Sequence, residues 1–235
     1  MTLAAASRNR KLIVAIDGPS GAGKSSVTRA LAERLGYTHI DTGAMFRAVA
    51  LMASLGGIDP DNHAALASLC AGLNIDFVTV EGFRSLLVNG EDVTAAIRSP
   101  EISLLTSRVA AVPAVRNYLL SLQRRMGERG GVVLEGRDIG TVVFPDADVK
   151  FYLTASAEER GRRRFAELKA KGLQVTHVQT LAEVIQRDHQ DMSREYAPLR
   201  LAEDAVEIDS TDLSPQEVLA RMEEHVRRKE MDLKV

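Results

Sequence analysis

Residues 18–26 read Gly18-Pro19-Ser20-Gly21-Ala22-Gly23-Lys24-Ser25-Ser26, a glycine-rich run closed by a lysine and two hydroxyls. The pattern G-x-x-x-x-G-K-[ST] makes a loop whose backbone N–H groups, clear of Cβ atoms, wrap the phosphates of a nucleoside triphosphate. Such a loop needs a strand before it and a helix after it. Both are legible: Lys11–Asp17 is a short apolar, β-branched run, and Val27, Ala30, Leu31 and Leu35 fall at helical spacing before Gly36. Lys24 is expected to reach the β- and γ-phosphates and Ser25 to ligate Mg²⁺. The helix beginning near Lys24 adds the positive end of its dipole.

Three further clusters carry charge. Asp41-Thr42-Gly43-Ala44-Met45-Phe46-Arg47 follows an extended Tyr37–Asp41. A hydroxyl, a glycine and an arginine at a helix N-terminus suit a second anion, although the same segment alone also reads as a capped turn with a surface arginine. Arg187, Asp191 and Arg194 are spaced i, i+4 and i+7, on one helix face, a pattern that a solvated charged face shares. Arg160, Arg163 and Arg164 share another face, with Arg162 beside them; a plain basic helix is the other reading. Neither Cys70 nor the five histidines form a nucleophile motif. Direct in-line phosphoryl transfer needs none, because it works by positioning and charge stabilisation.

The elements that must hold these groups can be read from pattern. A helix is expected from about Ala44 to Leu55, and another from the Asp59–Pro60 step. Leu73–Val80 and Phe83–Val88 alternate in strand fashion, and Asn89–Gly90 is a strong hairpin signal. Glu91–Ile97 adds a third short strand or an irregular return. Ser99–Pro100 opens a helix and Pro113 breaks it. Gly131–Leu134, Asp148–Leu153 and Ala205–Asp209 read as strands, while Ser156, Thr180 and Ser214, each with Glu three residues on, read as capping boxes. Strands alternating with helices imply an α/β fold with a parallel sheet flanked by helices, interrupted by a small antiparallel insert.

Composition narrows the class. At 235 residues and 45% hydrophobic content, the chain can build one α/β core with an insert; with aromatics at 4% and no tryptophan, that core is aliphatic. A net charge of −2 argues against a nucleic-acid partner. The lone Cys70, expected to be a buried helix thiol, excludes an internal disulfide and fits a reducing compartment. Residues 1–11 carry no long apolar run, so neither a secretory leader nor a membrane span is expected, and the location expected is cytoplasmic. Residues 1–10 are expected to be flexible and the charged tail from Arg227 frayed. A guanine-reading N-K-x-D is absent, and the chain is short for a mechanical ATPase. A monomer is expected.

The segments GPSGAGKSS, DTGAMFRA, SRVAAVPAVR, GRDIGTVVFPDADVKFYLTAS and the R-D-x-x-D-x-x-R of Arg187–Arg194 resemble bacterial cytidylate kinases, in the family's order and over nearly the whole chain. The resemblance implies a P-loop kinase core at 11–72 and 106–235, a monophosphate-binding insert at 73–105 and a helical lid at about 155–195. It implies transfer of the γ-phosphoryl group of ATP to CMP or dCMP. Thr42 and Arg47 would hold the acceptor's phosphate and sugar, with Arg137 and Arg187 on anionic oxygens. Ser107, Arg116, Asp138 and Arg194 would face the cytosine, and Asp191 the ribose. Lys24, Arg137, Arg160, Arg164 and Arg187 would stabilise the transferring group. Two departures stand out: Phe46 where relatives often have Tyr, and Glu135 where relatives can carry Asp. A relative acting on UMP, AMP or another phosphate acceptor, or a module that only binds ATP, remain the competing readings.

Overall fold

The computed structural model describes residues 11–80 and 83–233, so the flexible segment expected at 1–10 lies outside the described residues. In chain order the elements begin β1 (Ile13–Asp17), α1 (Lys24–Leu35), β2 (Thr38–Asp41), α2 (Thr42–Leu55) and α3 (His63–Ala71). Next come β3 (Ile75–Val80), β4 (Phe83–Val88), β5 (Glu91–Asp92), α4 (Pro100–Val109) and α5 (Pro113–Gly127). The last part holds β6 (Val132–Gly136), β7 (Val149–Thr154), α6 (Ala157–Ala170), α7 (His177–Met192), β8 (Val206–Asp209) and α8 (Pro215–Asp232). Two compact units result: one takes the chain up to Ile40 and again from Met126, the other is Asp41–Arg125.

The first unit is built on a five-stranded sheet of order β2-β6-β1-β7-β8. The β1–β6, β1–β7 and β7–β8 pairs are all parallel, as the alternation of strands and helices requires. Period-two alternation sends Leu12, Val14 and Ile16 to one face, where they pack with Phe151, Leu153, Leu31, Met222 and Val226. The opposite face receives Asp17, which the register sets beside Gly136 of β6 and Tyr152 of β7. The phosphate loop therefore leaves the carboxyl end of a central strand, the edge where open α/β sheets bind ligands.

Local chemistry explains the helix boundaries. Gly36, at φ 63°, ends α1 in the left-handed conformation and donates to the carbonyls of Ala32 and Glu33. Ser214 and Glu217 form the expected reciprocal capping box on α8. The expected fraying from Arg227 is overturned through Asp232, because α8 continues and Arg227 donates to the Arg34 carbonyl at 3.1 Å. The box expected at Thr180 sits one turn earlier. Thr176 caps α7 with Gln179, while the buried Thr180 hydroxyl donates to the Thr176 carbonyl at 2.9 Å.

The second unit holds the antiparallel sheet β3-β4-β5. Asn89 (φ 51°) and Gly90 (φ 88°) make the two-residue turn between β4 and β5, and the return after β5 closes into a short 3₁₀ turn at Ala96–Arg98. α2 starts at Thr42, ahead of the expected Ala44, because Asp41 caps it by accepting from the Ala44 amide at 2.9 Å. α3 starts at His63 and not at the Asp59–Pro60 step, because Asn62 caps Ala65 while Asp59 closes a local turn onto the Asp61 amide. Ser99 caps α4 with Pro100 in its first turn, and α5 begins at Pro113. Cys70 is buried on α3, and burial pushes its thiol up to about 11. Among the described residues no helix is long and apolar enough to cross a membrane.

Candidate active site

The loop from Gly18 to Ser26 is shaped by backbone conformations that L side chains rarely adopt. Gly18 has φ 145°, and a Cβ there would stand 2.0 Å from the Leu153 carbonyl oxygen of β7, so only glycine lets the loop leave β1. Gly21 and Gly23 also have positive φ, and Gly23 opens α1. Among the described residues no side chain caps that helix and none of its first-turn residues is acidic, so the amides and dipole face forward for an anion.

Lys24 is buried, and its Nζ donates to the carbonyls of Gly18 (2.7 Å) and Pro19 (2.6 Å). Burial, reinforced by the Arg137 charge, holds its ammonium well below the usual lysine range. The Ser25 hydroxyl donates to Glu135 Oε2 at 2.7 Å. The other oxygen of Glu135 meets His39 Nε2 at 2.9 Å, a bond across neighbouring strands β2 and β6. Glu135 stands out in the sequence as a departure, whereas His39 belongs to no motif there. Two residues before Asp41 on the same strand, His39 shares its face by period two, which was the available signal.

β6 ends at Gly136, and Arg137 and Asp138 lie in the loop before a widened helical turn at Ile139–Val143. Arg137 Nε donates to Asp191 Oδ2 at 2.7 Å and its Nη1 to the Gly136 carbonyl. Burial favours a neutral Asp191, but the Arg137 and Arg194 charges prevail and its carboxyl stays below the usual range. Burial likewise works against the charge on Arg137, and Asp191 reverses that, raising it. Asp191 therefore links Arg137 to Arg194, whose Nη2 donates to Asp191 Oδ1. Arg187 and Asp191 do share a face of α7. Arg194 lies beyond that helix, which ends at Met192 with Ser193 as its cap, so the i+7 helical spacing is corrected there. Asp138 is buried.

On α6 the four arginines are all held by carboxylates. Arg160 forms a two-pronged pair with Asp188 and donates to the carbonyls of Ala155 and Ser20, which ties it to the phosphate loop. Arg163 donates to Glu159, to Ser210 and to the Ala22 carbonyl at 3.4 Å. Arg162 takes both oxygens of Glu159, and Arg164 pairs with Glu167.

Within the second unit, Asp41 does double duty. Its Oδ1 caps α2 and its Oδ2 accepts from Arg47 Nη2 at 2.8 Å, aligning that guanidinium over the first turn, where Thr42 is buried. Arg116 is buried, donates to the Ala110 carbonyl at 3.1 Å and lies 5.2 Å over the Phe46 ring. A phenyl ring offers the face a tyrosine would, so the missing hydroxyl does not cost this stacking. Ser107 lies half-buried on α4.

The first unit thus brings an anion-ready loop, a buried ammonium and an arginine network to one edge of its sheet. A model of the cytidylate kinase family matches residues 14–228. The cytidylate kinase of Geobacter sulfurreducens is 65% identical over 96% of this chain and 97% of its own length. That of Syntrophotalea carbinolica is 60% identical over 91% of each chain. The bifunctional pantoate ligase/cytidylate kinase of a Synechococcus strain is 50% identical over 93% of this chain and 45% of its own. An uncharacterized protein from Eubacterium ventriosum of known structure has a TM-score of 0.50 at 11% identity, covering 92% of this chain and 99% of that one, a likeness of fold alone. By family model and by relatives matched along nearly their full length, this chain belongs to the cytidylate kinase family.

Proposed function

We propose that the protein transfers the γ-phosphoryl group of ATP to CMP or dCMP, giving ADP and CDP or dCDP, by direct in-line displacement with Mg²⁺. One observation carries this reading. The Gly18–Ser26 loop, its glycines at positive φ, sets the buried Lys24 at the N-terminus of α1, where among the described residues no side-chain cap takes the place of an anion. A transferring phosphoryl group is such an anion, and its charge must be stabilised throughout the displacement.

Gly18–Ser26 hold the donor phosphates, with Lys24 on the β- and γ-phosphates and Arg160, Arg164 and Arg187 adding positive charge. Ser25 ligates Mg²⁺. Its hydroxyl is bonded to the Glu135 carboxylate at 2.7 Å, and such hard oxygen donors suit that ion. When bound with ATP, Mg²⁺ neutralises charge on the phosphates. Glu135 accepts the Ser25 hydrogen bond, which leaves the hydroxyl's lone pairs for the ion.

On the acceptor side, Thr42, Arg47, Ser107, Arg116, Arg137, Asp138, Arg187, Asp191 and Arg194 are assigned to CMP. Asp138 reads the base: a carboxylate accepts from the cytosine N4 amino group and repels the carbonyl that uracil presents. Residues 11–72 and 106–235 act as the kinase core, 73–105 as the monophosphate-binding insert, and about 155–195 as a lid that excludes water from the transfer. The working form is a cytoplasmic monomer.

The test offers ATP and Mg²⁺ with each nucleoside monophosphate in turn and measures ADP release. Rapid turnover with CMP and dCMP alone is the expected result. Equal turnover with UMP or AMP rejects the cytidine assignment, and no acceptor-stimulated turnover rejects the kinase reading in favour of an ATP-binding module.

A further inference from the structure

Asp17 is the last residue of β1, directly before the phosphate loop, and it is only 4% exposed. Its two oxygens are taken by two successive backbone amides: Oδ1 accepts from Ile139 at 2.8 Å and Oδ2 from Gly140 at 2.7 Å. Those amides open the widened turn next to Arg137 and Asp138. The turn is pinned from behind as well, because the Asp138 carbonyl accepts from Val142 at 2.9 Å and Val143 at 3.1 Å. Asp138 itself adopts φ −142° and ψ 24°, a conformation that neither strand nor helix would impose. The pinned turn sets its backbone.

The fit is close. A Cβ on Gly140 would stand 3.4 Å from Asp17 Oδ2 and 3.1 Å from Lys150 Cδ, so the carboxylate reaches the turn where the chain has no side chain. The position is also costly. Burial pushes the Asp17 carboxyl up to about 6, the Asp138 charge adds to this, and the two amides offset only part of it. The pairing of β1 in the sheet makes no use of this carboxylate; both of its oxygens serve the turn.

We propose that Asp17 is a positioning residue for acceptor recognition, clamping the turn that presents Arg137 and Asp138 in fixed register with the phosphate loop. Both of its oxygens are given to that turn, so it acts through Arg137 and Asp138. One side chain thereby ties the start of the donor loop, its own next residue, to the loop that reads the acceptor. The proposal rests on Arg137 and Asp138 serving the acceptor.

The test compares wild type with Asp17→Asn, which keeps the size and one acceptor, and Asp17→Ala, which keeps neither. kcat and KM are measured for CMP and for UMP at saturating ATP, and ATP affinity is measured by calorimetry without acceptor. Misplacing a reading group by a fraction of an ångström should lower the CMP-to-UMP ratio of kcat/KM by about tenfold in the alanine variant, and less in the asparagine variant. ATP affinity should stay within about threefold. An unchanged ratio in a variant with wild-type circular dichroism overturns the proposal, as does an equal loss of ATP and CMP binding. Should the alanine variant not fold, the asparagine variant decides alone. Amide hydrogen exchange gives a readout that needs no acceptor: Ile139 and Gly140 should both exchange at least about tenfold faster in the alanine variant, and one of the two in the asparagine variant. Unchanged exchange overturns the clamp, whereas a wild-type enzyme indifferent to the base overturns the cytidine reading and leaves exchange to decide on Asp17.

Discussion

Arg160 and Asp188 meet through two parallel hydrogen bonds of 2.9 and 2.5 Å, joining α6 to α7 where both side chains are largely buried. The same guanidinium donates to the Ser20 carbonyl, so the helical pair is fastened to the phosphate loop through one residue. Removing Asp188 strands a buried guanidinium. Asp188→Ala should lower unfolding stability by about 3–5 kcal/mol, read from urea denaturation monitored by circular dichroism. A loss below about 1 kcal/mol would show that the pair carries no more than a surface bridge.

Lys24→Ala should reduce turnover with CMP by at least about 10²-fold, the scale of deleting one strong transition-state donor. Single-turnover measurement with bound ATP isolates the chemical step. Near-normal transfer would remove Lys24 from it.

Asp138→Asn replaces an acceptor by a group that can also donate. Preference for CMP over UMP should narrow by roughly 1–3 kcal/mol, or about 5- to 150-fold in relative kcat/KM. A coupled ADP-release assay checks it, and an unaltered ratio would reject Asp138 as the base reader.

Glu135 takes Ser25 on one oxygen and His39 on the other. Glu135→Gln should raise the Mg²⁺ concentration for half-maximal rate by about 10- to 100-fold, the usual scale for a partner of a metal-binding group. His39→Leu should produce a smaller shift in the same direction, and His39→Gln, whose amide can still donate, should restore most of it. A magnesium titration at fixed ATP that is identical in all three would contradict the network.

The Asp17 carboxyl has its folded-state pKa raised to about 6 from an ordinary 3.8, so the native state holds that proton more tightly than the unfolded chain. Its contribution to stability is therefore full below about pH 4 and is lost as pH rises through about 6. Asp17→Asn lacks this loss. Relative to wild type it should gain about 3 kcal/mol between about pH 3.5 and about pH 7.5, two pKa units being worth that much. Urea midpoints at both pH values decide it, and a constant gap would mean that Asp17 is not strained by burial.

The phosphate loop and the elements around it could be read in one dimension because their parts are local. A phosphate loop is a contiguous string whose glycines, lysine and serine have meaning at fixed offsets, and the strand and helix around it carry opposite periodicities. The Asn89–Gly90 turn and the Ser99–Pro100 start were legible for the same reason. What escaped was long-range pairing. Asp188 sits in plain view beside Arg187, yet that Arg160 would claim it emerges only from α6 packing on α7. His39 looks like any strand polar residue until the sheet order puts β2 next to β6. Arg194 shows the opposite failure, since helical spacing was extended past a cap that Ser193 supplies without any strong breaker. Thr180 misled because Thr-x-x-Glu is a local signal, and a better box, Thr176 with Gln179, lay four residues upstream.

The Gly18 and Pro19 carbonyls that hold Lys24 have a consequence for affinity. An ammonium in open solution must shed its water before it can grip a phosphate, and that loss weakens every binding event. Here the ammonium is already buried before any nucleotide arrives, with two carbonyl oxygens standing in for solvent. The expense of drying the cation falls once, on folding, and the incoming phosphate has only to take the place of a peptide oxygen.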